Sequence, residues 1–252
     1  MMTDIEQTRF IGNIKKALGR TASDHRPFED LIQTSPDDDD LALMETIQDR
    51  SREMRLTLLD RLTEVAKTIN TKVVALETGA QIAGAIAQIA AGSNAEWGNK
   101  KSIVAWDHPL VNRLDLPITM EPLGIPVYSP EDDFNRAKAE AFRRQAETAL
   151  IGVTSADFGL AETATLTMKT RPGQPLYVSL LPSIHIAVIH LEQILSNLKE
   201  LYTLLKWDPG QKAEGLTHSM TFITGPSKTA DIEATLVHGA HGPRELVVFV
   251  QV

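Results

Sequence analysis

The chain has 252 residues, 42% of them hydrophobic and 23% charged, with a formal charge of −8. That length supports one α/β domain with a sizeable core plus an extension, and the acidic balance argues against nucleic acid or an anionic membrane as main partner. Cysteine is absent, which excludes disulfides, a thiolate nucleophile and a Cys-ligated iron–sulfur cluster within this chain. No apolar run reaches the roughly 18 residues of a membrane span, and the first twenty or so residues lack a secretory apolar core. The expected location is the cytoplasm.

Thr3–Leu18 reads as an amphipathic helix with Ile5, Phe10, Ile14 and Leu18 along one stripe. Arg20–Asp40, with Pro27, Pro36 and the run Asp37–Asp40, reads as an exposed acidic linker. The division expected is therefore an arm over 1–40 and an α/β domain over 41–252. Leu41–Asn70 is helical in pattern, with Met54, Leu58, Leu62 and Val65 on one face. Lys72–Leu76 is a buried strand candidate, Ala80–Ala91 a small-residue helix, and Ser102–Trp106 another strand. Helix, strand, helix, strand predicts a three-layer open sheet flanked by helices. Asp107 and His108 then fall at a strand's C-terminal end, where open α/β folds gather ligands.

Ile125–Tyr128 is a further strand, and Ser129 with Pro130 starts a helix reaching about Leu150. Ile151–Thr154 and Thr163–Met168 read as strands bracketing Asp157 and Glu162, with Thr154 and Thr163 close by. Carboxylates at strand ends can act as general base, as nucleophile or as acceptors for hydroxyls. Asp157 and Glu162 are the candidate catalytic residues; a turn cap and a crossover-loop bond are the bland alternatives. A Pro/Gly turn at Arg171–Pro175 leads to an apolar run and then the strand Ile184–Ile189, which carries His185. Leu191–Leu205 has helical spacing throughout.

Met220–Thr224 is a strand emptying into Gly225-Pro226-Ser227-Lys228-Thr229, whose amides, hydroxyls and ammonium suit a small anion. The Walker spacing is missing, so ATP hydrolysis is not supported. Asp231 and Glu233 follow with period two, then His241 near the turn Gly239–Pro243, then a closing strand Glu245–Val252. His238 and His241 are too weakly spaced to define a metal centre, and none is expected.

Two blocks, GVTSADFGLAETATL…PGQPLYVSLLPSIHI and TFITGPSKTADIEATLVHGAHGPREL, resemble the LUD domain of the lactate-utilization protein C family. The likeness covers roughly the last two thirds of the chain. The Gly-Pro-Ser-basic-Thr-Ala-Asp-Ile-Glu motif is complete; one departure is Ala164, where the family carries Gly. The resemblance implies a fold like the sugar-phosphate isomerase and CoA-transferase superfamily. It also implies a place in an operon-encoded system that oxidises L-lactate to pyruvate with iron–sulfur partner subunits. With no cysteine here, redox clusters would sit on those partners, and no cofactor is expected in this chain. Three readings stay open: a subunit binding a small anionic metabolite or an iron–sulfur protein, a stand-alone isomerase or CoA-transferase-like enzyme using Glu162, and a non-catalytic assembly protein. A homo-oligomer is compatible with each.

Overall fold

The computed structural model of the chain describes residues 4–19, 35–95, 100–130, 136–215, 219–230, 236–238 and 242–252. The chain divides into two units, Met1–Leu41 and Ala42–Val252. The first contains helix α1 (Asp4–Ala17), followed by the start of helix α2 (Asp38–Gln48). Phe10, Ile14 and Leu18 share one stripe, and all three are exposed. The acidic run predicted as linker opens a helix instead. Asp37 Oδ1 accepts the Asp40 amide at 2.8 Å, and Asp38–Asp40 occupy the first turn of α2, where the helix dipole favours negative charge.

The remaining helices are α3 (Arg52–Thr68), α4 (Gly79–Gly92), α5 (Pro109–Asn112), α6 (Leu116–Met120), α7 (Arg136–Thr148), α8 (Leu198–Trp207) and α9 (Pro209–Glu214). The strands are β1 (Thr71–Leu76), β2 (Ile103–Ala105), β3 (Val127–Tyr128), β4 (Ile151–Ser155), β5 (Phe158–Leu160) and β6 (Thr165–Lys169). They continue as β7 (Ile184–His190), β8 (Ile194–Leu195), β9 (Met220–Thr224), β10 (Lys228–Ala230), β11 (Leu236–His238) and β12 (Glu245–Gln251). Six of them form a wholly parallel sheet in the order β1-β12-β7-β4-β2-β3. This confirms the α/β class with helices flanking an open sheet.

Alternation along β7 sorts the core into two layers. Ile184, Ile186 and Val188 face α4, α5 and α6 through Ile82, Ile86, Leu110 and Met120. Ala187 and Ile189 face α3 and α7 through Leu59, Leu62, Ala66 and Phe142. The second layer also receives Leu166 and Met168 of β6. They belong to a second sheet, ordered β8-β5-β6-β9, which was not expected. Thus Met220–Thr224 is a strand as read, but in the smaller sheet.

Two predicted helices need correction. Leu41–Asn70 breaks at Asp49–Ser51, where Ser51 caps α3, and the buried face is Leu59, Leu62 and Ala66, while Met54 is exposed. Leu191–Leu205 is helical only from Leu198. Its first residues form a short 3-10 turn and β8, and Asn197 Oδ1 accepts the Lys199 and Glu200 amides at 3.0 and 3.2 Å to start α8. Between α2 and α3, Arg50 reaches Glu200 of α8 in a buried ion pair of 2.7 Å. Of the helix expected from Ser129, α7 is described from Arg136; 131–135 lie outside the described residues.

Gly152 marks the tightest approach in the sheet. A Cβ there would fall on the carbonyl oxygen of Val178 and within 2.9 Å of the Pro182 ring, because the 3-10 turn Leu176–Ser179 crosses directly over β4. The colliding atom is backbone and cannot swing aside. Gly152→Ala is therefore expected to cost about 3 kcal/mol or more, the upper range for overpacking. A denaturant midpoint unchanged from the parent would contradict this close approach.

Candidate functional site

Chain order defines a switch point in the parallel sheet. From β2 the chain moves outward to β3; from β4 it moves the other way, to β7 and then β12. Connections leaving β2 and β4 therefore diverge, and the crevice beyond their C-terminal ends lies open. Trp106, His108, Ser155, Asp157, Arg171 and Gln174 line a cleft of about 500 Å³ there. This is where Asp107 and His108 were expected to lie.

Arg171 is positioned by local sequence. Pro172 and Gly173 are the central residues of a turn in which the Gln174 amide donates to the Arg171 carbonyl at 3.2 Å. Gly173 takes φ +74, the left-handed value that the third position of a type II turn requires. The Asp107 amide donates to the Gly173 carbonyl at 3.1 Å, pinning the turn to the end of β2. The guanidinium then donates Nη2 to Asp157 Oδ1 at 2.6 Å and Nε to Glu214 Oε1. Nη1 makes no hydrogen bond among the described residues.

Burial works against the Arg171 charge, yet its bonds to Asp157 and Glu214 outweigh this and raise its pKa further. Glu214 is held down at about 2, chiefly by the Arg171 hydrogen bond and then by Lys169. Both Asp157 oxygens are engaged, Oδ1 by Arg171 and Oδ2 by the Lys169 amide at 2.6 Å. This carboxylate, a catalytic candidate from the sequence, positions Arg171 at the cleft. His108 Nδ1 accepts the Leu110 amide at 3.2 Å, capping α5. Accepting that bond requires a bare Nδ1, so the neutral ring carries its proton on Nε2. Burial, with the Arg171 cation, lowers the His108 pKa against the opposing pull of Asp157 and Asp107. Gln174 Oε1 is buried without a hydrogen-bond partner among the described residues. Among the described residues the cleft thus has donors without a partner on Arg171, His108 and Gln211, and one unused acceptor, the buried Gln174 Oε1.

Glu162, His185, Gly225 and Ser227 lie away from this cleft. Asp157 and Glu162, five apart in sequence, flank β5 at its two ends and do not converge. Glu162 is exposed on the turn into β6 and lines neither the cleft nor the pocket described next. Beside it a hydroxyl chain runs from Thr163 through Thr165 to Thr224, with Oγ1–Oγ1 separations of 2.8 and 2.7 Å. That chain ends at a pocket of about 240 Å³ that includes His185, Gly225 and Ser227. Thr154 lies fully buried behind it, with Oγ1 2.8 Å from His185 Nε2.

In the Gly225 loop, read from the sequence as an anion site, part of the backbone is already engaged. The Ser227 amide donates to the Pro243 carbonyl at 2.8 Å; Lys228 and Thr229 enter the β10 ladder with β11. Asp231, Glu233 and His241 lie outside the described residues. Arg171, Gln174 and Trp106 were missed by sequence reasoning; the Arg-Pro-Gly-Gln turn was the available signal. Ala164, noted in the sequence as a departure from the resemblance, adopts φ +50. A left-handed residue there costs an alanine about 1 kcal/mol.

The fold and cleft define an open parallel α/β protein with a polar crevice at its topological switch point. The chain belongs to the LUD domain family, whose profile matches residues 59–250. It is 27% identical over 234 residues to a lactate utilization protein C of Shouchella clausii, covering 93% of this chain and 92% of that one. To the protein of the same name from Halalkalibacterium halodurans it is 31% identical over 143 residues, covering 57% and 59%. A crystal structure of a DUF162 family protein from Deinococcus radiodurans shares the fold, with TM-score 0.50 and 23% identity, covering 79% of this chain and 98% of that one.

His185 gives the site region a pH signature. It is fully buried, and that burial pushes its pKa down to about 3. An unfolded histidine titrates near 6.5, so below that pH the unfolded state takes up a proton that the folded state refuses. Stability is expected to be independent of this group above pH 6.5 and to fall, as pH drops from 6.5 towards 3, by about 1.4 kcal/mol per unit. Urea midpoints between pH 7.5 and 4 check this. His185→Gln should flatten the slope even though its plateau is lower.

Proposed function

We propose that this chain serves lactate utilization as a subunit that binds a small 2-hydroxy or 2-oxo carboxylate in the switch-point cleft. The observation that carries the ligand class is the donor and acceptor set: Arg171 Nη1, His108 Nε2–H and the unsatisfied Gln174 Oε1. Two donors match a carboxylate, and a buried bare carbonyl matches the neighbouring hydroxyl of lactate. The names of the family relatives place them in lactate utilization and support the same role here.

The set favours binding over oxidation by this chain alone. His108 presents a proton to the cleft, so it orients a carboxylate and does not take the proton from an alcohol. Without cysteine, electrons leaving lactate would pass to clusters on iron–sulfur partner subunits. The chain is read as the subunit that holds the acid while partners carry the charge.

Calorimetric titration of L-lactate and of pyruvate into the purified protein tests the reading. The parent should bind at least one acid with a dissociation constant on the order of 1 mM. Arg171→Lys keeps the charge but loses the planar fork, and should weaken binding at least about tenfold. His108→Asn retains a good cap for α5 and removes the Nε2 donor, so it should weaken binding without lowering the melting temperature. Equal affinity in parent and both variants would overturn the proposal.

A further inference from the structure

The pocket at the N-terminal ends of β7 and β12 has a chemistry of its own. His185 and Leu246 are the second residues of those strands and lie side by side in register. The cleft at Ser155 and Asp157 is at the other end of the sheet. The pocket walls are mostly apolar, including Leu180, Phe222, Ile223, Pro226 and Leu246, and among the described residues no Asp, Glu, Lys or Arg lines it. Binding an ion there would leave its charge uncompensated, which is costly in an apolar site.

Its polar groups are few. Ser179 Oγ donates to the Leu176 carbonyl at 2.7 Å, and Thr224 Oγ1 is tied to Thr165 at 2.7 Å. The hydroxyls of Thr221 and Ser227 also line it, and His185 differs from them in being fully buried. Nε2 is held by Thr154 at 2.8 Å, while Nδ1, sealed from solvent, makes no hydrogen bond among the described residues. A buried ring nitrogen left bare is costly, and such groups in native proteins usually have a partner. Nothing in the lactate-binding reading uses this residue.

Size narrows the occupant. An apolar cavity of about 150 Å³ accommodates one benzene ring; this pocket, at about 240 Å³, is larger by roughly half. Phe222, 41% exposed, offers a face at the pocket for stacking. We propose that this pocket is a second binding site, taking a neutral, flat heteroaromatic group of one or two fused rings whose ring nitrogen pairs with His185 Nδ1. Thr154 and β4 hold the imidazole from behind, so the ring arrives already oriented. The site is independent of the cleft and stands or falls without it.

Benzimidazole, neutral at pH 7.5, is the probe. Indene has the same shape without nitrogen, and benzoate carries a charge. Each is titrated into the full chain while the histidine ring nitrogens are followed by 15N NMR. Benzimidazole should bind with a dissociation constant on the order of 1 mM or tighter and move the His185 Nδ1 resonance, at least tenfold more tightly than indene, with benzoate not binding. Ser227→Phe, which fills the pocket from its loop, should abolish this binding while leaving any lactate titration at the cleft unchanged. No binding of benzimidazole, affinity equal to that of indene, or a static His185 ring would each overturn the site. Should Ser227→Phe fail to fold, the resonance shift in the parent protein decides alone.

Discussion

The guanidinium of Arg171 ties together parts of the chain that sequence keeps far apart. Asp157 follows β4, Lys169 ends β6 and Glu214 ends α9, yet all three meet at one cation or at the carboxylates that hold it. Formal charges in this group balance, two carboxylates against Arg171 and Lys169. A balanced, partly buried network tolerates the low dielectric that would penalise a lone ion. What it leaves over is a single nitrogen of Arg171, Nη1, without a partner among the described residues. An acid bound there gains geometry more than net charge, which is why millimolar rather than nanomolar affinity is expected.

The sheet order supplies the space in which that network works. β12, last in sequence, inserts between β1 and β7, so the six strands are complete only when the chain end returns to the first strand. Pairings of such long sequence separation are slow to form. The paired strands β4 and β7 connect the two sites: Ser155 at the end of β4 lines the cleft, and Gly152 near its start lies beside His185 of β7, which lines the pocket. Gly152 is the price of having the 3-10 turn packed directly over β4, since any larger residue would displace it.

How much could be read from residues follows from the physics of each element. β2, β4, β7 and β12 are buried on both faces or nearly so, hence their continuous apolar runs stood out, while β1 at the sheet edge is only partly buried. α4 was evident because Ile82 and Ile86 fall on one face of an alanine-rich stretch with a Thr78–Gln81 capping box. β5 and β8, of three and two residues, are too short to carry a period. The helix over Leu191–Leu205 was started too early because Leu191, Ile194 and Leu195 point into cores, which any spacing of apolar residues can satisfy. Asp107 and His108 were rightly placed at a strand end. Asp157 and Glu162 were grouped by nearness in sequence, and β5 between them carries them to opposite ends. Ala164 sits at φ +50, a demand on the backbone that the identity of the residue does not reveal.

The most direct test of the central claim is a crystal structure of the protein grown with saturating L-lactate. The carboxylate should be found hydrogen-bonded to Arg171 and His108, with the hydroxyl turned towards Gln174. A cleft holding only water at that concentration, or lactate ordered elsewhere on the molecule, would contradict the account.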